Sequence, residues 1–293
     1  MELKFVTMAV KINTLFKHKQ LSKFNPGICS LLLDISNNQG KLAIADTHSE
    51  TLLFLVVAEC TDNESVRDLL FTLKEKLPCE PTDFASCKLM FYTSTFELVP
   101  DEWFDPGERD YYLILHQKEI STLPTNINRL DELKINLLAA VPPYVKTAMD
   151  IFNGVFALYH SGTVLINKFR MELSGKKTSL NKVFCSFFKD GIEILIPDNN
   201  TIRYYNQIIT SDPDETLFFL LNTIHSLEYA NDYGIDFSGD IGPKSAVITT
   251  LKKAIPNISL AFNVTLKTEK YTKGSKGLNQ LQLDNIFYLL ACE

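Results

Sequence analysis

Catalytic signatures are scarce in this chain. No GxGxxG, GxxxxGK[ST], HExxH or GxSxG pattern occurs, so dinucleotide binding, a Walker-type phosphate cradle, zincin chemistry and a serine-hydrolase elbow all lack their motif. The six cysteines (29, 60, 79, 87, 185 and 292) form no CxxC pair and have no histidine at ligand spacing, which removes the usual thiolate zinc sites. Cys29, Cys60 and Cys185 lie within apolar runs, where a reduced thiol acts as a small hydrophobe. Long hydrophobic runs are missing too: Leu52–Ala58 is among the longest, far short of the ~18 residues a spanning helix needs. The opening Met-Glu-Leu-Lys lacks the apolar core of a signal peptide. The expectation is a soluble cytoplasmic protein with no membrane insertion, and triplets such as Asn263-Val264-Thr265 carry little weight as glycosylation sites. Cations are outnumbered, 29 Lys and Arg against 35 Asp and Glu, for a net charge of −6. That argues against nucleic acid as a partner, because phosphate binding needs clustered cations. Lys267, Lys270, Lys273 and Lys276 punctuate one Gly- and Ser-bearing loop, which fits a solvated linker.

What is present is ordinary globular material, 45% hydrophobic and 22% charged over 293 residues, enough for one or two domains with a substantial core. Within it, one pattern occurs twice. The run Cys29–Asp34 leads through a turn to Gly40, followed by strand-like Lys41–Asp46 and Thr51–Cys60 and a helix opening at Thr61. About 150 residues later, Val183–Phe188 turns at Gly191, followed by Ile192–Pro197, Thr201–Thr210 and a helix opening at Ser211. A three-stranded meander feeding a helix, used twice, predicts two lobes with a cleft between them.

Local chemistry supports those elements. Leu31-Leu32-Leu33 and Leu52–Val57 are continuously apolar, as strands buried on both faces are. Val66, Leu69, Leu70, Leu73 and Leu77 form a helical stripe, with Thr61 and Glu64 spaced as a capping box and Pro78 as a stop. The second helix carries Leu217, Leu220, Leu221, Ile224 and Leu227, with Ser211 as its cap. Further strands are expected at 4–16, Lys88–Tyr92, Tyr111–His116, Val155–His160, Tyr233–Ser238 and Ile258–Val264. Further helices are expected from Pro142-Pro143 to Gly154 and over Ser245–Ala254, and a last apolar segment covers Ile286–Ala291. The polar stretch 120–129 is where the chain is expected to leave its first lobe. His160, ending a strand, reads as a hydrogen-bonded structural histidine, and Asp101, Glu102 and Asp105 near Trp103 read as solvated loop acids.

Strand order β-β-β-α-β-α, occurring twice, resembles the plan of the actin-like ATPase superfamily. A closer resemblance is to a bacterial family of unknown function grouped within it. The residues carrying it are Phe96-Glu-Leu-Val-Pro-Asp-Glu-Trp-Phe104, the stretch His160-Ser-Gly-Thr-Val-Leu-Ile166 read as a strand, the Phe237-Ser-Gly-Asp240 turn and Phe287–Glu293. The resemblance implies an α/β, two-lobed actin-like (ribonuclease H-like) fold of duplicated βββαβα units with mixed sheets. Lobe one would cover residues 1–120 and lobe two 121–293.

The resemblance also implies where a nucleotide would sit. The superfamily grips phosphates in the turn after each lobe's first strand, with an Asp followed by Gly and a hydroxyl, whose backbone N–H groups cradle the anion. Here the first turn reads Asp34-Ile-Ser-Asn-Asn-Gln-Gly40, with Ser36 in place of the glycine. The second, Phe188-Lys-Asp-Gly191, reads as a tight type I′ hairpin around Asp190, which serves simply to reverse the chain. Ser238-Gly239-Asp240-Ile-Gly242 resembles the adenosine-side glycine motif and equally suits a strand-to-helix turn. Asp34, Ser36, Asp190, Ser238 and Gly239 are thus the candidate residues of a degenerate nucleotide cleft. The leading expectation is a non-catalytic binding or assembly protein with a protein partner, no required cofactor and no metal. The alternative is a weak ATP-binding protein or ATPase using Mg-ATP to set lobe closure. A small-molecule kinase is a third reading, with Asp34 or Asp190 as its base.

Overall fold

In the computed structural model, the apolar runs pair into two mixed sheets joined at a seam. The structure describes residues 10–49, 51–60, 66–114, 123–174, 182–198, 201–210, 212–226, 234–242, 244–254, 259–261 and 280–292. An edge strand, β1 (Val10–Lys17), precedes the first meander of β2 (Cys29–Ile35), β3 (Gln39–Asp46) and β4 (Thr51–Cys60). The central strands are buried on both faces, as their unbroken apolar runs require. Helix α1 (Val66–Lys74) lays Leu69, Leu70 and Leu73 into the core, and β5 (Ser86–Phe91) adds parallel to β2.

A three-stranded antiparallel sheet is then inserted. It holds β6 (Phe96–Pro100), β7 (Thr125–Leu130) and β8 (Ile135–Ala140), with a short helix, α2 (Tyr111–Ile114), after β6. Helix α3 (Pro143–Ile151) follows, ended by the left-handed residues Asn153 and Gly154. Strand β9 (Ala157–His160) then returns to pair with β5, giving the order β1-β4-β3-β2-β5-β9. A strand beyond residue 120 is therefore hydrogen-bonded into the first sheet.

After α4 (Ser161–Ser174), the second sheet uses β10 (Lys182–Phe188), β11 (Gly191–Asp198) and β12 (Thr201–Ile209) as a meander. Helix α5 (Pro213–Ser226), β13 (Gly234–Gly239), α6 (Ala246–Ala254) and β14 (Ser259–Ala261) complete it in the order β12-β11-β10-β13-β14. With β1 set aside, the two sheets share one plan: an antiparallel meander whose first strand pairs with a parallel strand, to which a second parallel strand is added. Helix α7 (Gln280–Leu290) closes the molecule between them. Its Leu283, Ile286, Phe287 and Leu289 pack on Leu32, Ala43, Leu55 and Met90 of the first sheet, while Leu281 joins the second core. Lys88 of β5 fixes its end by donating to Leu290 O at 2.9 Å.

Several expectations need correction. Of the strand expected over Tyr111–His116, residues 115 and 116 lie outside the described residues, and Tyr111–Ile114 is helical because Leu113 plugs into Val99, Leu138 and Ala140 of the inserted sheet. The strand ends at His160, and Ser161–Ile166 opens α4 instead. Val164 faces one core while Leu165 and Ile166 face another, so burial all round erased the helical stripe. The final apolar segment is part of α7, and Ile135–Ala140 forms a strand the sequence reading passed over. Ser211 lies outside the described residues, but the cap of α5 is Asp212. Its carboxylate accepts from Asp214 N–H at 2.7 Å and its carbonyl from Thr216 N–H at 2.9 Å. Thr61, Glu64 and the lysine-bearing loop also lie outside the described residues. Among the described residues no helix is long and apolar enough to cross a membrane, and none of the cysteines forms a disulfide.

Candidate functional site

The first-lobe turn begins where β2 delivers Asp34 to the sheet edge. Ser36 N–H donates to Gln39 O at 2.9 Å, which returns the chain into β3 and brings Lys41 beside Asp34. In the second lobe, β13 ends at Gly239 with φ +85°, where a Cβ would stand 1.9 Å from Phe187 O. Only glycine fits. Asp240 N–H then donates to Phe187 O at 2.7 Å, aiming the Asp240 side chain at the first lobe.

The two turns meet through a buried lysine. Lys41 Nζ lies 3.2 Å from Asp34 Oδ2 and 3.0 Å from Asp240 Oδ1, with its side chain 2% exposed. Both contacts are ion pairs at hydrogen-bonding distance, made away from water. Burial alone would lower the lysine pKa, but Asp240 and Asp34 outweigh it and hold the ammonium above its ordinary value. Burial raises Asp34, helped by the Asp240 charge and opposed by Lys41.

Other contacts cross the same seam. Asn38 Nδ2 donates to Asp190 Oδ1 at 3.4 Å, and Lys189 Nζ pairs with Glu59 Oε2 at 2.8 Å. The rings of Tyr92 and Phe188 stack 4.5 Å apart, and Asn285 of α7 donates to Tyr92 Oη and Ser186 Oγ at 3.5 and 3.2 Å. Burial, with Asp34, Glu193 and Asp240 nearby, puts the Tyr92 hydroxyl well above its usual range. Ser36 Oγ, Asn38 Oδ1, Ser238 Oγ and Asp240 Oδ2 are buried with no hydrogen-bond partner among the described residues.

Two further buried polar clusters lie beside the seam. Glu193 Oε1 accepts from Ser161 Oγ at 2.6 Å and Tyr205 Oη at 2.7 Å, and burial pushes its pKa up to about 7 against those hydrogen bonds. Lys168 of α4 reaches Asp236 Oδ1 at 2.6 Å and Asp284 Oδ2 at 3.8 Å, with Asp284 pushed up to about 7 by burial. His160 stands apart from this chemistry. Its Nδ1 accepts from Gly162 N–H at 3.1 Å, so Nε2 carries the proton and donates to Thr93 O at 3.0 Å. Burial drops its pKa to about 4.

Asp34, Ser36, Asp190, Ser238 and Gly239 are therefore gathered at one seam. The hairpin differs from its expected form. Phe188 pairs with Gly191, so the loop residues are Lys189 and Asp190, and neither has the positive φ of a type I′ turn. Gly191 instead lies in β11, where a Cβ would come within 2.2 Å of Ile208 O. Sequence reasoning missed Lys41 and the bridging role of Asp240. The signal for Lys41 was a lone cation heading the apolar run Leu42–Ala45, since a fully buried lysine is almost always paired. Among the described residues, no three His, Cys, Asp or Glu are grouped to hold a metal.

Solved structures resemble this one, two of them over most of both chains. The crystal structure of a protein with actin-like ATPase fold and unknown function, from Bacteroides thetaiotaomicron VPI-5482, matches with a TM-score of 0.73 and 16% identity, over 94% of this chain and 100% of that one. The PilM–PilN type IV pilus biogenesis complex contains a chain matching with a TM-score of 0.57 and 9% identity, over 89% of this chain and 98% of that one. At such identities the likeness is one of fold, and the fold is that of the actin-like ATPases. No curated protein matches the chain. The profile described as "Protein of unknown function (DUF3822)" matches residues 18–258, and the chain belongs to that family.

Proposed function

We propose that this is a non-catalytic binding or assembly protein, whose interlobe cleft is held shut by its own side chains rather than by a nucleotide. The observation that carries the reading is Lys41, placed between Asp34 of one turn and Asp240 of the other. Its ammonium supplies to both carboxylates the positive charge that a phosphate-bound cation would bring. Mg-ATP does not fit this arrangement. A triphosphate would have to displace Lys41, part Asn38 from Asp190 and open the Tyr92–Phe188 stack. Ser36 in place of glycine and the two-residue Lys189-Asp190 connection also leave few backbone N–H groups to cradle an anion. PilM, a neighbour in fold, is seen in complex with a protein partner, which is a precedent for this use of the architecture. In this reading the first lobe runs to His160, where β9 completes its sheet, rather than ending at residue 120.

One observation favours the alternative, a weak ATP-binding protein or ATPase. The orphaned oxygens of Ser36, Ser238 and Asp240 are polar groups that an opened cleft would offer to a ligand. Calorimetric titration with Mg-ATP separates the two. The closed-cleft reading expects no heat of binding and an unmoved melting temperature, since even a ligand at its dissociation constant stabilises by ~0.4 kcal/mol. ATP turnover that is lost in Asp34→Ala and kept in a distant surface variant would overturn it.

A further inference from the structure

The chain's single tryptophan, Trp103, is 71% exposed, and Tyr111 nearby in sequence is 65% exposed. Trp103 lies in the connection after β6 and Tyr111 opens α2, and the segment between them is pinned from below. Trp103 ends a tight turn, Asp101–Trp103, whose Phe104 N–H donates to Asp101 O at 3.3 Å. Asp101 is pinned by Asn136 Nδ2 at 2.7 Å and Arg129 at 3.4 Å. The Tyr112 hydroxyl donates to Trp103 O at 2.6 Å and accepts from Asp105 N–H at 2.9 Å. Phe104 and Tyr112 pack their rings 6.0 Å apart on the core of the inserted sheet. The framework is fixed from below while the indole is left in solvent. Rigid aromatics of this kind dominate the energetics of protein interfaces.

The surrounding charge is predominantly negative, although Arg129 and the exposed Lys134, whose carbonyl accepts from Asp101 N–H, adjoin it. Glu102, Asp105, Glu108 and Asp110 are all exposed, with Arg109 as the lone cation between Asp101 and Tyr112. Arg109 lies toward Asp110, and Arg129 serves Asp101 and Asp131. Glu102 and Glu108 are left without a cation among the described residues.

Building on the binding-protein reading above, we propose that this aromatic, acid-rimmed ledge docks a basic segment of a partner protein. An arginine or lysine of that segment lies over the Trp103 ring, and its apolar neighbours cover Tyr111. A cation on the indole face gains from the ring quadrupole as well as from the acids around it. The acids also exclude acidic competitors, which is how charge patterns set specificity.

The test uses the full chain, in which Trp103 is its own reporter. An eight-residue peptide alternating arginine and leucine is titrated against Trp103 emission, with a glutamate–leucine peptide of equal length as control. Peptide anisotropy reads the same binding in Trp103→Ala and in Glu102→Lys/Glu108→Lys, whose exposed positions leave the fold intact by circular dichroism. A saturable response to the basic peptide alone, weakened at least tenfold in both variants and by high salt, supports the proposal. Equal binding of both peptides, undiminished binding by Trp103→Ala, or no response to the basic peptide overturns it. So does a Trp103 signal that depends on protein concentration without peptide and tracks dimer in sedimentation, which assigns the ledge to a second copy. Mg-ATP binding would refute the closed cleft without moving these readings.

Discussion

Tyr92 and Phe188 stack face to face across the seam, 4.5 Å between ring centroids and 23° between planes, one ring from the residue after β5 and the other from the end of β10. Both are buried, so the stack joins the lobes by area as well as by ring geometry. Together with α7 behind it, the pair makes the closed cleft a packed interface rather than an open groove.

Phe188→Ala should therefore loosen the lobes and not merely soften the core. Large-to-small substitution at a buried phenylalanine costs about 3–5 kcal/mol, through lost burial and the cavity left behind. The check is hydrogen exchange: amides of the Ser36–Gln39 turn should lose protection more than those of α5, which lies on the far core. Uniform loss would mean that the stack stabilises without closing the seam.

Asp212→Ala should cost about 1 kcal/mol, because its carboxylate satisfies first-turn N–H groups of α5. Ser211→Ala should leave the denaturation midpoint nearly unmoved. The reverse ranking would return the cap to Ser211.

Much of the architecture was legible. Cys29–Ile35 and Thr51–Cys60 announce strands because burial on both faces leaves unbroken apolar runs, and Val66–Leu73 announces a helix because burial on one face leaves a stripe. The helices hardest to read share a cause. α4 and the end of α7 are buried on several sides, so their apolar residues carry no period to read. At the site, Asp34 and Gly239 could be placed from turn chemistry, which is local. Lys41 acquires its role only when Asp240 arrives from residues some 200 positions away, and no spacing in the sequence records that meeting.

Glu193 makes the fold's stability fall with rising pH. Its folded pKa of about 7 lies above its ordinary 4.5, so the native state holds a proton that the unfolded state releases. The stabilisation is full below about pH 4.5 and is lost as pH rises through about 7. Asp284 acts in the same direction over a similar window. Glu193→Gln keeps an oxygen to accept from Ser161 and Tyr205 while removing the titration. Urea midpoints between pH 5 and 8 should decline for the parent chain and decline less steeply for Glu193→Gln; parallel slopes would show that Glu193 does not titrate there.

Lys41→Met is the most direct test of the closed cleft. Removing one partner of a buried ion pair costs about 3–5 kcal/mol, because the charge left behind has neither water nor counter-ion. Here two carboxylates, Asp34 and Asp240, would be left facing each other. Asp34 is already raised by burial and by Asp240, and losing Lys41 removes the influence that opposes them. Its proton is then held more tightly in the folded chain, so the variant's deficit should be smallest near pH 4 and grow as pH rises toward 7. Adding Asp34→Asn and Asp240→Asn should recover part of the loss at pH 7, since no buried charge then remains unpaired. If Lys41→Met is as stable as the parent chain at pH 7, or if its deficit is the same at pH 4, the lysine is not the bridge that holds the two lobes together.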